Sequence, residues 1–205
     1  MPMCSRLDAD KAAIKKSMNI NIDAADDDFL SAAKWGELFP TDPILVIGFG
    51  DEPVVRQWGL KPDWAERPII NAKAEEAAGK KTFQPLLASR CVVPVTGYYE
   101  WRIEDGKKVK TLIATDEVMP MAGFVTPDAC VVLTCAPSQS LTHIHHRMPA
   151  ILDTADIAAW LDPKMDFAAL KPVLKPSQRA FQIADAAPVP RPAKPRMEPR
   201  QASLF

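Results

Sequence analysis

The chain has 205 residues, of which 47% are hydrophobic and 25% charged, and its formal net charge is -1. This length fits one domain with a substantial core, and the lack of a long apolar run argues against a membrane-spanning helix. The near-neutral charge excludes binding to nucleic acid through overall basicity, so such binding would require a local basic cleft.

The chain begins Met1-Pro2-Met3-Cys4-Ser5-Arg6. No basic segment followed by an apolar stretch stands here, so we predict a cytoplasmic protein with reduced cysteines. A cysteine at the start of a chain carries an amine and a thiol on adjacent carbons, and this pair condenses with an aldehyde, first to a Schiff base and then to a thiazolidine ring. As the sequence is written, Cys4 is internal and lacks that amine; a frayed terminus is the alternative interpretation.

Residues 8–39 are predicted to be helical with loops, and a cluster of aspartates there indicates a solvated face or a helix cap. Two strands are predicted over residues 44–49 and 54–60. The indoles of Trp58 and Trp64 either stack on nucleic-acid bases or pack in the core or at its rim.

Asn71 follows a short apolar stretch and is predicted to cap a helix, with Glu75 in the first turn. Another short helix is predicted over residues 82–89.

Residues 90–101, which read RCVVPVTGYYEW, are the central element of the chain. The valines favour a β-strand, while Pro94 and Gly97 predict a bend or bulge in it. Since neighbours on a strand point to opposite faces, Glu100 would point away from the aromatic residues on either side. If its face borders a pocket, the poorly solvated carboxylate could take part in proton transfer; the alternative is a strand end with a surface glutamate.

Three further strands are predicted over residues 109–114, 119–125 and 130–135, separated by turn signals. Short helices follow over residues 154–161 and 167–174. Sequential strands with short turns indicate a curled, mostly antiparallel sheet. The predicted fold class is therefore α+β, a single domain with a barrel-like sheet flanked by short helices and followed by a disordered C-terminal tail.

A polar loop over residues 138–152 contains all three histidines, including His145 and His146, and then Arg147. No cysteine or carboxylate motif lies near them at zinc-site spacing, so we predict neither a metal nor a cofactor. Histidine carries protons near neutral pH, and arginine can hold a phosphate bidentately. Adjacent histidines project in different directions, so at most one would face a given pocket; a purely structural loop is the alternative.

The chain changes character after a last predicted strand at residues 181–183. Prolines then alternate with basic residues, which predicts an extended tether, so we divide the chain into a domain at 1–185 and a tail at 186–205. The tail ends in QASLF, which has the features of a docking motif with two apolar anchors and resembles the Q-x-x-L-F peptide by which bacterial repair proteins bind the sliding clamp. The predicted clamp contacts are Gln201, Leu204 and Phe205.

Five motifs resemble those of the SRAP (SOS response-associated peptidase) family, which includes proteins that crosslink to abasic sites in single-stranded DNA. The matching segments are residues 3–6 (MCSR), 58–64 (WGLKPDW), 71–75 (NAKAE), 90–101 (RCVVPVTGYYEW) and 145–149 (HHRMP). Each motif alone is a weak signal, but all of them in the family's order and spacing are specific.

The resemblance implies a sensor of abasic sites that attaches to single-stranded DNA through a reversible thiazolidine, with possible cleavage by β-elimination. Cys4 would be the nucleophile, and Asn71 would orient the N-terminus or the sugar oxygen. Glu100 would shuttle protons, and His145 would assist opening of the sugar ring.

The resemblance also implies which residues contact DNA, with phosphates held by the cationic ones. These residues are Arg6, Trp58, Trp64, Lys73 and Arg147. We expect a nucleoid-associated monomer with abasic single-stranded DNA and the sliding clamp as partners, and no membrane.

Three departures from the family pattern bear on this interpretation. Ser5 replaces a glycine, and Lys73 replaces an arginine, which keeps the charge but loses bidentate geometry. Two residues also precede Met3, so either translation starts at Met3 or the protein removes its own first three residues. Two alternatives stay open: a thiol peptidase that uses Cys4, His145 and Glu100, and a non-catalytic single-strand-binding adaptor recruited by the clamp.

Overall fold

A computed structural model describes residues 5–17 and 30–187 of the chain, which form ten β-strands, three short α-helices and several 3₁₀ turns. The strands are β1 (Leu7–Ala9), β2 (Gly36–Leu38), β3 (Pro43–Ile47), β4 (Pro53–Trp58), β5 (Asn71–Lys73), β6 (Arg90–Glu104), β7 (Lys107–Val125), β8 (Ala129–Cys135), β9 (Met148–Pro149) and β10 (Gln182–Asp185). The helices are α1 (Lys11–Ser17), α2 (Ile157–Leu161) and α3 (Phe167–Leu170). No helix within the described residues is long and apolar enough to cross a membrane.

Five strands close into a barrel in the order β7-β8-β4-β3-β6, with β6 pairing back onto β7. The pairs are antiparallel except that β8 runs parallel to β4 and to β5. β1 and β2 extend the sheet from β6, and β10 extends it from β7. The predicted curled, mostly antiparallel sheet is confirmed, with closure that removes the exposed edges of its central strands.

The longest hairpin of the sheet is formed by β6 and β7, which turn at Asp105 and Gly106. Their register shifts between Val95 and Gly97, so Thr96 has no partner on β7. This confirms the predicted bulge. Gly97 allows a close approach there, since an added Cβ would lie 2.8 Å from a methyl carbon of Leu112, which would have to shift.

The barrel core continues into an aromatic cluster beneath α2 and α3. Phe124 lies 6.5 Å from Trp160 and 5.7 Å from Phe167 between ring centroids. The Trp160 indole N–H donates to the Cys91 carbonyl at 2.9 Å, which satisfies its buried polar group. These helices therefore cover one side of β6 and fix its position.

Four predictions of secondary structure differ from the structure. The segment 8–39 is predicted to be helical with loops, but its described part contains most of β1 and all of β2 beside the short helix α1. Residues 109–125 form one continuous strand rather than two, because the chain at residues 115–118 bulges instead of turning. Asn71 begins β5 and pairs with Val132 instead of capping a helix, so strand pairing overrides its local preference. The predicted helix at 82–89 is only the 3₁₀ turn Gln84–Leu86.

Candidate functional site

Glu100 lies on the inner face of β6, where it is 3% exposed and directly opposite Thr111 of β7. It shares this face with Tyr98, which pairs with Leu7 of β1 and is 1% exposed. Tyr99 therefore projects to the outer face, as the alternation of the strand predicts. The carboxylate is thus part of the barrel wall and not a surface group.

The loop before β9 brings His145 to this carboxylate, with the His145 Nδ1 atom 3.9 Å from Glu100 Oε1. Nδ1 lies 3.2 Å from the backbone nitrogen of Arg147 and 3.3 Å from its carbonyl oxygen, so it accepts from the N–H in one tautomer and donates to the carbonyl in the other. Burial lowers the pKa of His145, partly offset by its hydrogen bond to the backbone at Arg147. The imidazole is therefore neutral near pH 7, and the 3.9 Å approach is not an ion pair. We call Glu100 and His145 the inner pair.

His146 is exposed, and its ring centroid lies 4.3 Å from that of His145. Of these two histidines, only His145 lies within 4.0 Å of the Glu100 carboxylate. The two imidazole rings nevertheless pack against each other.

Arg147 links β8 to the turn that follows β5 through its guanidinium, and its side chain is only 10% exposed. Nη1 and Nη2 bond the two carboxylate oxygens of Glu75, the second at 2.8 Å. Nη2 also donates to the Thr134 carbonyl at 2.7 Å. A DNA phosphate would have to displace Glu75 from this fork, and the Arg147 hydrogen bond lowers the pKa of that glutamate.

Asn71 and Lys73 share one face of β5, two residues apart, opposite Val132 and Thr134 of β8. Asn71 is half-buried, and Lys73 donates to Glu76 at 2.7 Å. Thus β5 lies beside the strand to which Arg147 is tied.

Arg6 precedes β1, and its backbone lies beside β6 next to Glu100, while its side chain lies on the outer face with Tyr99. Its carbonyl accepts from the Tyr99 N–H at 3.0 Å, one residue before Glu100. Its guanidinium lies 4.0 Å from the Phe39 ring centroid and 3.6 Å from a Glu37 oxygen. Each of Arg6, Lys73 and Arg147 thus has a carboxylate partner, and we call these three residues the paired cations.

The two tryptophans have different environments. Trp58 is fully buried, and its indole donates to the Ile70 carbonyl at 3.1 Å. The prediction that Trp58 contacts DNA is therefore wrong for this structure, because a side chain inside the core cannot stack on a base. Trp64 is 70% exposed and presents a ring to solvent.

Four predicted site residues lie outside the described residues: Cys4, Gln201, Leu204 and Phe205. The other cysteines are buried, and burial raises the pKa of Cys130 to about 12 and that of Cys135 to about 11. Such thiols stay protonated and are poor nucleophiles. Within residues 5–17 and 30–187, no group of three or more His, Cys, Asp or Glu side chains could hold a metal ion.

The sequence interpretation missed the carboxylates that hold the cations. Glu75 is predicted to lie in the first turn of a helix, and the sequence does not single out Glu37 or Lys110. For Glu75 a signal existed, since it is the last residue of the NAKAE motif. For Glu37 and Lys110, which are 73 residues apart in the chain, local sequence contains no such signal.

The sequence and fold of this chain are similar to those of known proteins. The model of the SOS response associated peptidase (SRAP) family matches residues 3–191. The abasic site processing protein YoqW of Bacillus subtilis is 30% identical over 184 residues, which cover 77% of this chain and 82% of YoqW. The abasic site processing protein YedK of Escherichia coli is 32% identical over 139 residues, covering 60% of this chain and 62% of YedK. A crystal structure from Bacteroides thetaiotaomicron has a TM-score of 0.76 at 25% identity, covering 90% of this chain and 92% of its own.

Proposed function

The chain belongs to the SRAP family, and on that premise we propose that it processes abasic sites in single-stranded DNA by attaching to them covalently. Its relatives YoqW and YedK are named abasic site processing proteins. The observation that carries the proposal is the inner pair, a buried carboxylate and a neutral imidazole 3.9 Å apart. The backbone leading to Arg6 lies directly beside it.

In the proposed reaction, Cys4 acts after Met1, Pro2 and Met3 have been removed. The freed α-amine adds to the aldehyde carbon of the ring-opened sugar and forms a carbinolamine. Loss of water gives a Schiff base, and the Cys4 thiol then adds to the imine carbon to close the thiazolidine. The thiol proton ends on the ring nitrogen, so the complete reaction releases one water.

The inner pair supplies the proton transfers that this sequence needs. Glu100 would move protons between the amine and the departing oxygen. His145 would hydrogen-bond the ring oxygen of the closed sugar and thereby assist its opening. Asn71 would orient the N-terminus or the sugar oxygen, while Arg6, Lys73, Arg147 and Trp64 would hold the strand.

Two finer activities extend the proposal. The Schiff base acidifies the adjacent C2′ proton, so β-elimination with strand cleavage is accessible from the same intermediate. The tail ending in Gln201, Leu204 and Phe205 would dock on the sliding clamp, and deleting the last two residues should abolish clamp binding without affecting attachment.

A denaturing gel of the protein with abasic and intact oligonucleotides tests the proposal. A heat-stable shifted band that requires the abasic site, and that Cys4→Ala abolishes, is the expected result. A shift under native conditions without a covalent band would instead indicate a binding adaptor. Cleavage of a supplied peptide with no effect on either DNA would indicate a thiol peptidase, the activity in the family's name.

A further inference from the structure

A second set of polar contacts lies on the outer face of β6 and β7, opposite the face of Glu100. Lys110 pairs with Trp101, which shares the outer face with Tyr99. The Lys110 Nζ atom accordingly lies 4.1 Å from the Tyr99 ring centroid. Neither side chain takes part in the proposed chemistry, so their arrangement needs another explanation.

Lys110 is unusually buried for a lysine, with 7% of its side chain exposed. Its Nζ donates to both carboxylate oxygens of Glu37, at 2.8 and 2.7 Å. A buried ammonium is costly unless it is paired in this way. Lys110 therefore holds the Glu37 carboxylate in place and neutralises it.

The same carboxylate faces Arg6, with 3.6 Å between Glu37 Oε1 and Arg6 Nε. This distance is too long for a direct hydrogen bond. Nη1 of Arg6 instead donates to the Ser5 carbonyl at 2.7 Å, and the guanidinium packs on the Phe39 ring. Within residues 5–17 and 30–187, Nη2 makes no hydrogen bond. Arg6 is thus oriented by its surroundings while its acid partner is engaged by Lys110.

We propose that Lys110 is a positioning residue for Arg6: by engaging Glu37, it keeps the Arg6 guanidinium available to a backbone phosphate of the bound DNA strand. This inference rests on the proposed function, because it requires a single-stranded DNA ligand. If Lys110 is removed, Arg6 is the cation that remains within 4.0 Å of Glu37 among the described residues. A direct, charge-assisted bond between Arg6 and Glu37 would then compete with the phosphate.

The test measures binding of an intact, abasic-free oligonucleotide over a range of KCl concentrations. Lys110→Met should bind about five- to tenfold more weakly at 0.1 M salt, and the slope of log K against log salt should fall by about 0.7, the value for one lost phosphate contact. Arg6→Gln should give the same slope. The double variant Lys110→Met with Glu37→Gln should recover the wild-type slope, because the competing carboxylate is gone.

A wild-type slope in Lys110→Met, or a low slope in the double variant, would overturn the proposal. Removing both partners of the Lys110–Glu37 pair is less destabilising than removing Lys110 alone. If Lys110→Met does not fold, the double variant is therefore measured twice, once with Arg6 and once with Arg6→Gln added. The proposal then predicts slopes that differ by about 0.7, and equal slopes contradict it. Failure of the covalent reaction is judged separately, by the absence of a heat-stable band with abasic DNA and wild-type protein.

Discussion

The inner pair and the paired cations are built on different principles. Glu100 and His145 are 3.9 Å apart, beyond hydrogen-bond distance, and burial keeps the imidazole neutral. Lys73 and Arg147, in contrast, bond glutamates at 2.7 and 2.8 Å. The two members of the inner pair thus do not neutralise each other, whereas the cations proposed to bind phosphates lie beside carboxylates with which a phosphate would have to compete.

This comparison also explains how a chain of net charge -1 could bind a polyanion. Each of the three cations predicted to contact phosphates lies within 4.0 Å of a carboxylate, so no large basic field surrounds the site. Binding should therefore be modest and depend on specific contacts instead of overall charge.

Changing the inner pair should produce the largest effect. Glu100→Gln keeps the size of the side chain but removes the proton carrier, so attachment to abasic DNA should slow about a thousandfold. The rate of attachment is measured as the rate at which the heat-stable band forms in single-turnover reactions. Affinity for intact DNA should stay within about twofold, because the inner pair does not contact phosphates in this account; a parallel loss of affinity would show that the two regions are not separate.

Changing the imidazole should have the next largest effect. His145→Gln should slow attachment about a hundredfold, and it should also change the pH dependence. Burial lowers the pKa of His145 below its ordinary value of 6.5, so the wild-type ring stays neutral until the pH falls below that value. A His145-dependent rise in rate should appear only below pH 6.5, where the ring becomes an imidazolium and a stronger proton donor, and it should be missing from the variant; a midpoint above 6.5 would contradict the neutral ring.

Alanine substitutions at the two tryptophans, neither of which belongs to the inner pair, should affect different properties of the protein. Trp64→Ala removes an exposed ring, so single-stranded DNA affinity should fall about fivefold or more with an unchanged melting temperature. Trp58→Ala empties a buried site and should cost about 3–5 kcal/mol of stability. Equal affinity of Trp64→Ala and wild type in a salt-controlled titration would remove Trp64 from the DNA surface.

The smallest effect is expected when a paired cation loses its carboxylate partner. Glu75→Gln breaks the fork to Arg147, and since Glu75 is half exposed, the free energy of unfolding should fall by only about 1 kcal/mol. The fork lowers the pKa of Glu75 from 4.5, so its stabilisation is present above pH 4.5 and is lost as the pH falls through the lowered value. Thermal melts should therefore differ at pH 7 and converge in acid; a constant difference would mean that the charge is irrelevant.

The sequence predicts those features of the structure that depend on local patterns of residues. The alternation around Glu100, the bulge near Gly97 and the curled sheet all follow from residue types and spacing, and the structure has them. The closeness of Glu100 to His145 could be expected only from the family motifs, since the two residues lie on different elements and no local pattern joins them.

The sequence does not predict the ion pairs between residues that are far apart in the chain. Nothing near Arg6 indicates that Glu37 is held by Lys110, because that contact depends on how β2 and the β6–β7 hairpin meet in three dimensions. Asn71 was misassigned for a related reason: its preference for helix caps is weaker than the hydrogen bonds offered by β8. Burial of Trp58 likewise depends on barrel closure.

The central claim is that Cys4 offers its own α-amine and thiol to a sugar aldehyde. The most direct measurement is the intact mass of the protein joined to an abasic oligonucleotide, followed by peptide mapping of the joined residue. We predict a protein that begins at Cys4, an adduct mass equal to the two partners minus one water, and attachment at that first residue. A product that retains Met3, or an adduct on any other side chain, would contradict the account.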